Sequence, residues 1–385
     1  MIEVANRIAE VKEYYFSKKL DEIREMNSRG CDVLNLGIGS PDLPPAKQVT
    51  DKLVHSASQA NTHAYQSYRS IPELRSAIAN FYSRHYDVTL DSVTEVLPLL
   101  GSKEGVMYIS MAFLNPGDTV LIPNPGYPAY KTAAEMMGAN VVSFDLKEEN
   151  NWFPDLENLD KNTLAAAKMM WVNYPNMPTG QRATKEIFEQ LALFAQKHNI
   201  LVVNDNPYSF ILNDHPMSLL SVQGANENCL ELNSMSKAFN MAGWRVGMVC
   251  GREEYVNAIL RVKSNVDSGM FKPVQEASVE ALNLPDSWFE NVNLEYAQRR
   301  KLAERILDIL GCSYDVKQSG MFMWAKIPVG RKSEEFIEEI LQERFVFITP
   351  GTIFGSNGEG YIRISLCSNK EMFNAAIERL EMIKA

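Results

Sequence analysis

The sequence predicts an α/β fold, with a large domain built on a mostly parallel sheet flanked by helices and a smaller α/β domain. Up to Pro285, short apolar runs alternate with longer stretches of helical periodicity, which is the pattern of helices that connect parallel strands. The chain has 385 residues, and a prior of about one domain per 150 residues favours two or three domains. The pattern changes after Pro285, so we expect a domain boundary there.

Strands and helices alternate along the predicted large domain. The helix Thr184–His198 shows its period clearly, because Ile187, Leu191 and Phe194 recur on one face. The remaining elements are, in chain order, a strand at Thr94–Leu100, a helix at Ser102–Leu114, and strands at Lys168–Val172, Ile200–Asn204, Cys229–Leu232 and Val246–Cys250.

The predicted small domain begins with a long helix that runs through Arg299 and Arg300. This helix is followed by an element at Met321–Ile327, a helix at Ser333–Arg344, and two strands at Val346–Ile348 and Tyr361–Leu366. We assign residues 46–284 to the large domain. Residues 1–45, as an N-terminal arm, join residues 285–385 in the small domain.

Composition excludes several classes of protein. A net charge of −10 without a basic stripe argues against nucleic-acid binding. No run approaches the roughly 20 apolar residues of a membrane span, and the N-terminus lacks the apolar stretch of a signal peptide. The five cysteines include no Cys-x-x-Cys pair, which predicts the reducing cytoplasm and neither a disulfide framework nor a metal site.

Lys237 is the most informative residue of the chain. It closes the segment Ser234-Met235-Ser236-Lys237, and Arg245 follows eight positions later. An amine that attacks an aldehyde must be shielded from solvent, and a phosphate beside it needs hydroxyls and a guanidinium in a fixed frame. A lone lysine before a Gly-containing turn is usually a surface residue, so the interpretation depends on further motifs.

Two further motifs lie where a sheet would bind a ligand. Gly101-Ser102-Lys103 connects a predicted strand to a predicted helix, and backbone amides at such a helix start bind phosphate. Asp205 ends a predicted parallel strand, and ligands of open α/β sheets bind at that edge. Each motif alone is weak, since an acid there also serves as a turn or cap.

Together these motifs resemble the lysine signature of the class I and II aminotransferases, which are pyridoxal-phosphate enzymes of fold type I. The resemblance implies that Lys237 forms a Schiff base with pyridoxal 5′-phosphate, that Asp205 contacts the ring nitrogen, and that Tyr208 contacts O3′ of the cofactor. It also implies that Arg363 and Gly39 bind the substrate carboxylate. The residues that it implies for cofactor binding are Gly101, Ser102, Lys103, Tyr127, Asn176, Ser234, Ser236, Arg245 and Tyr65.

Within this resemblance, Tyr127 stacks on the pyridine ring and Tyr65 reaches the phosphate of a neighbouring subunit, so a homodimer shares its active sites. Ser70 stands where the family commonly has glycine, which leaves the geometry of that turn open. Arg363 lies between apolar neighbours on a predicted strand. The sequence is compatible with a solvent-facing or a buried guanidinium.

Met177 is the clearest departure from the family pattern. It lies in Asn176-Met177-Pro178-Thr179-Gly180, where the family usually has an asparagine that donates to O3′ of the cofactor. A thioether cannot donate a hydrogen bond. Either Asn176 replaces the missing donor, or Tyr208 alone holds O3′ while Met177 packs against the cofactor.

The resemblance implies an aminotransferase that moves an amino group between an L-amino acid and a 2-oxo acid with ping-pong kinetics. Its substrate remains open within the branch that contains LL-diaminopimelate, aspartate, alanine and aromatic aminotransferases. Tyr14, Tyr15 and Phe16 are compatible with an aromatic pocket or an amphipathic helix. The alternatives are a C–S lyase of the same fold and a non-catalytic ligand-sensing domain, although the chain lacks a basic helix-turn-helix module.

Overall fold

The computed structural model describes residues 2–9 and 15–382. Its strands are β1 (Leu34–Asn35), β2 (Val96–Leu99), β3 (Thr119–Asn124), β4 (Asn140–Asp145), β5 (Ala167–Val172), β6 (Leu201–Asp205), β7 (Cys229–Ser234), β8 (Gly247–Gly251), β9 (Ser313–Tyr314), β10 (Phe322–Lys326), β11 (Val346–Phe347), β12 (Thr349–Pro350) and β13 (Tyr361–Ser365). Its α-helices are α1 (Asn6–Ala9), α2 (Tyr15–Ser28), α3 (Lys47–Ala57), α4 (Pro72–Tyr86), α5 (Ser102–Phe113), α6 (Pro128–Met136), α7 (Lys161–Ala166), α8 (Lys185–His198), α9 (Ala225–Asn228), α10 (Glu253–Lys263), α11 (Lys272–Leu282), α12 (Asp286–Ile309), α13 (Ser333–Arg344) and α14 (Lys370–Glu381).

A seven-stranded sheet forms the centre of the molecule, in the order β2-β8-β7-β6-β5-β3-β4. Strand β8 is antiparallel to both neighbours, whereas the other pairings are parallel. Every residue of β2, β3, β6, β7 and β8 is buried. Near-continuous burial is typical of a parallel sheet covered by helices on both faces. The predicted α/β fold with a mostly parallel sheet is confirmed.

Two smaller sheets contain the remaining strands. One is antiparallel with the order β12-β13-β10-β9, and the other pairs β1 with β11 in parallel. The strand predicted at Val346–Ile348 is confirmed over Val346–Phe347, which pairs with β1. A second short strand, Thr349–Pro350, was not predicted and pairs with β13. These strands all come from the segments assigned to the small domain, but the domain boundaries themselves stay a prediction.

Capping residues and prolines mark the ends of several helices. The hydroxyl of Thr184 accepts a bond from the Ile187 amide at 3.3 Å, so Thr184 caps α8. Asn199 ends that helix in the left-handed conformation with φ 52°. Helix α12 begins directly after Pro285 and buries Phe289 and Val292 along one face. No helix among the described residues is long and apolar enough to cross a membrane.

The parallel strands place polar groups at one edge of the large sheet. Asn173 follows the last residue of β5, Asp205 is the last residue of β6, and Ser234 is the last residue of β7. Carboxyl ends of adjacent parallel strands meet at the same edge, and this edge is where open α/β sheets bind ligands. The fold therefore brings residues of distant sequence position to one site.

Candidate active site

A cavity of about 580 Å³ lies at this edge of the large sheet. It contains most of the residues that the sequence predicted for the site. Those that line it are Gly39, Ser102, Lys103, Tyr127, Asp205, Tyr208, Ser234, Ser236, Lys237, Arg245 and Arg363. Gly101 adjoins it through Ser102, whereas Asn176 and Tyr65 are not among its lining residues.

The amine of Lys237 is held inside this cavity. Its Nζ donates a hydrogen bond to the carbonyl oxygen of Gly39 at 2.7 Å. Burial lowers the pKa of this amine, and the guanidinium groups of Arg363 and Arg245 lower it further, while Cys367 and, to a smaller extent, Asp205 oppose the shift. A lysine with a lowered pKa is more often neutral, and the neutral amine is the nucleophile.

The carboxylate of Asp205 is only 6% exposed. Its Oδ2 accepts a bond from the hydroxyl of Tyr130 at 2.8 Å, and the Tyr130 ring stacks on Trp171 with centroids 4.8 Å apart. Its Oδ1 is buried without a hydrogen-bond partner in the described part of the chain. The pKa of Asp205 is raised to about 7, mainly by burial. The bond from Tyr130 opposes this rise, whereas Glu231 adds to it. Buried acceptors usually have a hydrogen-bond donor as partner. The Oδ1 atom of Asp205 is therefore available to accept a bond from a cationic N–H group of a ligand.

The start of helix α5 forms a cradle for an anion. Gly101 caps this helix with φ 96°, and an added Cβ there would collide with the guanidinium of Arg245. At Gly247, an added Cβ would lie 2.6 Å from the amide nitrogen of Ser102. Gly101 therefore allows the Arg245 guanidinium to lie close to the start of helix α5, and Gly247 allows strand β8 to do the same. The approach places the Arg245 guanidinium beside the backbone amides of the helix start, which together favour a phosphate.

Two serines complete the cradle. The guanidinium Nη1 of Arg245 donates to the Ser236 hydroxyl at 3.5 Å and to the Ala242 carbonyl at 2.8 Å. The Ser234 hydroxyl accepts a bond from the Ser236 amide at 3.1 Å. Both serines are buried and line the cavity. Hydroxyls and a guanidinium in this arrangement match the donors that a doubly charged phosphate requires.

Arg363 is buried on strand β13, with 4% of its surface exposed. Its guanidinium carbon lies 4.0 Å from the ring centroid of Phe322 and 4.7 Å from that of Phe354. Its Nη2 donates to the Gly37 carbonyl at 2.9 Å. Of the two orientations compatible with the sequence, the buried one is therefore present. A buried guanidinium at a cavity wall is a strong receptor for a carboxylate.

The sulfur of Met177 lies 3.3 Å from Nη1 of Arg363. Asn176 is not among the lining residues of the cavity, and its side-chain oxygen accepts a bond from the Thr179 hydroxyl at 2.8 Å. Its amide nitrogen Nδ2 is buried without a hydrogen-bond partner among the described residues, so its role as the substitute donor stays a prediction. Asn173 does line the cavity, where its oxygen accepts from the Met177 amide at 2.7 Å and its amide donates to the Asp205 carbonyl. Sequence analysis missed Asn173, although its position directly after a strand could have indicated it.

The aromatic residues predicted for the site have different surroundings. Tyr127 is half-buried at the cavity, with its ring edge-on to Tyr130 at 5.5 Å between centroids. Tyr208 is buried at the cavity wall. Tyr65 is 90% exposed. Phe16 lines the cavity, whereas Tyr14 lies outside the described residues.

Ser70 adopts φ 66° and is buried. The turn therefore keeps the left-handed backbone that glycine favours, even though a serine occupies it.

Comparisons with known proteins decide the family. The model of the family "Aminotransferase class I and II" matches residues 31–380. The chain belongs to the class I and II aminotransferases. It is 39% identical to the LL-diaminopimelate aminotransferase of Aquifex aeolicus, in an alignment that covers 100% of both chains.

Solved structures agree with this assignment. The apo-BacF structure from Bacillus subtilis superposes with a TM-score of 0.96 at 34% identity, covering 100% of this chain and 99% of that one. An aspartate aminotransferase mutant from Thermus thermophilus gives a TM-score of 0.92 at 27% identity and covers both chains fully. The predicted fold type I aminotransferase is thus confirmed.

This aminotransferase uses pyridoxal 5′-phosphate, as its family does. The cavity fits that group on two independent observations. The unpartnered Oδ1 of Asp205 suits a protonated ring nitrogen, and the cradle at Gly101 and Arg245 suits a phosphate. When bound, the cofactor supplies an electron sink for negative charge at the substrate Cα.

Proposed function

We propose that Lys237 is the residue that carries the cofactor of this aminotransferase and moves the proton in the reaction. The observation that supports this most strongly is that the buried amine of Lys237 and the unpartnered oxygen of Asp205 line the same cavity. The lowered pKa of Lys237 increases the share of the neutral, nucleophilic amine. Once released by the incoming amino acid, that amine removes the proton from the substrate Cα and returns it as a general acid.

Other residues bind and orient. Asp205 faces the ring nitrogen and keeps it protonated, because an ionised carboxylate stabilises an adjacent cation. Ser102, Ser234 and Arg245 hold the phosphate, and Arg363 holds the substrate α-carboxylate. Tyr127 and Tyr208 lie against the cofactor ring and its O3′. An L-amino acid and a 2-oxo acid then react at this site in alternate half-reactions.

The variant Lys237→Ala tests the proposed role. We expect turnover to fall by at least about a hundredfold, the usual minimum for loss of a positioned acid–base group, with partial recovery when methylamine is added. Lys131→Ala is the matched control, because it removes an exposed lysine outside the cavity. Full transamination by the Lys237→Ala protein without added amine would refute the assignment.

We further propose that the substrate side chain is apolar or aromatic. The cavity wall beside Arg363 is formed by Phe16, Leu20, Ile38, Phe322 and Phe354. Apolar surface that loses water on binding contributes about 25 cal/mol per Å², so these side chains favour phenylalanine, leucine or methionine as the amino donor. The opposing candidate is LL-diaminopimelate, which is in the name of a relative that is 39% identical over the full length.

A panel of amino acids separates these candidates. Holoenzyme is mixed with phenylalanine, leucine, methionine, aspartate or LL-diaminopimelate, and the cofactor absorbance reports each half-reaction. We expect the apolar donors to react fastest at equal concentration. A dominant rate with LL-diaminopimelate would reject the apolar pocket, while a thiol released without a 2-oxo acid acceptor would indicate lyase activity.

We also propose a cytoplasmic homodimer with shared active sites. The exposed Tyr65 supports it, because a tyrosine that is 90% exposed is available to a second subunit. The five cysteines are all free thiols, which suits a reducing compartment.

A further inference from the structure

Glu231 is a second carboxylate buried beside Asp205, and the reaction described above gives it no role. It lies in the middle of strand β7 and is fully buried. Its partner in the neighbouring strand β6 is Asn204, while Asp205 pairs with Leu232. A buried charge is costly to a fold unless its partners compensate it, so its position in the sheet requires an explanation.

The carboxylate of Glu231 binds the residues on both sides of Asp205. Its Oε2 accepts from the side-chain amide of Asn204 at 3.3 Å, and its Oε1 accepts from that of Asn206 at 3.2 Å. The amide of Leu219 donates to Oε2 at 2.8 Å. Side chains alternate across a strand, so the two asparagines point away from the face to which Asp205 points.

Each asparagine is tied further to the backbone around the site. The side-chain oxygen of Asn204 accepts from the Tyr174 amide at 3.1 Å, in the loop that carries Met177. The side-chain amide of Asn206 also donates to the Met217 carbonyl at 2.9 Å. Through these bonds, one carboxylate fixes the strand end that presents Asp205.

We propose that Glu231 is a positioning residue for Asp205. It holds Asn204 and Asn206 in place so that the carboxylate between them faces the ring nitrogen of the cofactor. The proposal rests on the function proposed above for Asp205. It concerns a residue that touches neither cofactor nor substrate, since Glu231 is not among the lining residues of the cavity.

Glu231 acts in this proposal through its hydrogen bonds, since its surroundings as a whole do not stabilise its negative charge. Burial raises the pKa of Glu231, while the bonds from Ser218, Leu219 and the two asparagines oppose the rise. The other titratable groups that it influences are Asp205 on β6, Cys250 on β8, and Tyr82 and Tyr86 on α4. None of these neighbours is a cation, so the charge of Glu231 is not neutralised by any of them.

A double-mutant cycle tests the proposal. The dissociation constant of pyridoxal phosphate is measured by equilibrium dialysis for wild type, Glu231→Gln, Asp205→Asn and the double variant. We expect Glu231→Gln to weaken binding by about tenfold, at the lower end of what an orienting partner contributes at metal sites. In the Asp205→Asn background the same change should have little effect, because Glu231 acts through Asp205.

Controls separate positioning from a loss of stability. Cys229→Ala changes a buried residue two positions earlier on the same strand, and we expect it to lower the melting temperature without changing the dissociation constant. If Glu231→Gln fails to fold, Asn206→Ala breaks one of the two links and takes its place in the cycle.

The possible outcomes are distinct. An unchanged dissociation constant in Glu231→Gln, or equal losses in both backgrounds, overturns the positioning role. Unchanged binding in Asp205→Asn alone would instead reject the proposed contact of Asp205 with the cofactor, and the role of Glu231 with it.

Discussion

The buried carboxyl of Asp205 makes the cofactor-free protein sensitive to pH. Its pKa is raised to about 7 in the folded chain from the ordinary value of 3.8. Between these values the folded state binds more protons than the unfolded state, so the free energy of unfolding decreases as pH rises. Below pH 4 this contribution disappears, because the carboxyl is protonated in both states.

Asp205→Asn should remove this dependence. Relative to wild type, we expect the cofactor-free variant to gain about 2 kcal/mol of stability between pH 5 and pH 8, since each pKa unit corresponds to about 1.4 kcal/mol. Urea unfolding at both pH values measures the difference. If the two proteins differ in free energy of unfolding by the same amount at pH 5 and at pH 8, the pKa of Asp205 is not raised in the folded chain. The holoenzyme variant should in addition react slowly.

Met177 is the clearest departure of this chain from its family pattern. If position 177 faces O3′ of the cofactor, replacing Met177 with asparagine adds a donor there, which favours the deprotonated oxygen. We expect Met177→Asn to lower the pH midpoint of the cofactor absorbance by up to about one unit, the equivalent of one hydrogen bond. Met177→Leu keeps the volume without adding a donor and should leave the midpoint unchanged. A rise in Met177→Asn would contradict the role of this position.

The sequence predicts some residues of the site and not others, for a physical reason. Lys237 and Arg245 are recognisable because both lie in one continuous segment. The bond from Tyr130 to Asp205 joins residues that lie 75 apart in the chain, and the bond from Asn204 to Glu231 depends on the register of two strands. Such contacts are set by the tertiary fold, so no local pattern reveals them.

At the scale of elements, the close approach of β8 to the start of α5 shapes the phosphate cradle. An added Cβ at Gly247 would lie 2.6 Å from the Ser102 amide nitrogen and 2.8 Å from the Gly101 carbonyl carbon. Both are backbone atoms, which cannot rotate away. Gly247→Ala should therefore move the strand from the helix, at a cost of about 1–3 kcal/mol, and weaken cofactor binding.

The control for this change lies in the same segment. At Gly243 an added Cβ would meet nothing within 4 Å, so Gly243→Ala should leave the cofactor dissociation constant near that of wild type. Thermal unfolding and equilibrium dialysis of the two variants give the comparison. Equal dissociation constants in both variants would show that the cradle tolerates a shift of β8.

Periodicity predicted β2, β5, β6, β7 and β8, because burial on both faces gives strands such as β6 a continuous apolar run. It missed β3, although every residue of that strand is buried. Strand β4 was not predicted, since it lies at the edge of the sheet and most of its residues are exposed or half-buried. The apolar run that begins at Val346 serves two different sheets. Pairing partners decide such a division, and they are distant in the sequence.

At the scale of the whole molecule, the proposed homodimer with shared active sites predicts complementation between subunits. Lys237→Ala and Tyr65→Ala homodimers should each be impaired. Unfolded together and refolded, they form heterodimers in which one site has an intact Lys237 from one subunit and an intact Tyr65 from the other. We therefore expect the mixture to be more active than either protein refolded alone.

A second mixture serves as the control. Lys237→Ala and Asp205→Asn alter the same subunit's contribution, so each heterodimer site keeps one defect and activity should not recover. Recovery in this control, or no recovery with Tyr65→Ala, would place Tyr65 outside the neighbouring site.

The contacts of Lys237 and Arg363 have a consequence for every affinity measured on this enzyme. Lys237 donates to the Gly39 carbonyl, and Arg363 donates to the Gly37 carbonyl. A ligand that binds the Lys237 amine or the Arg363 guanidinium must replace the hydrogen bond that this group already makes to a backbone carbonyl. Each measured affinity is therefore the difference between the new bond and the bond that is lost. Both carbonyls belong to one short segment, in which the Gly37 carbonyl also accepts a bond from the Thr349 hydroxyl at 3.0 Å. Under the proposed function, this segment competes with the cofactor for Lys237 and with the substrate for Arg363, so binding at one position can affect binding at the other.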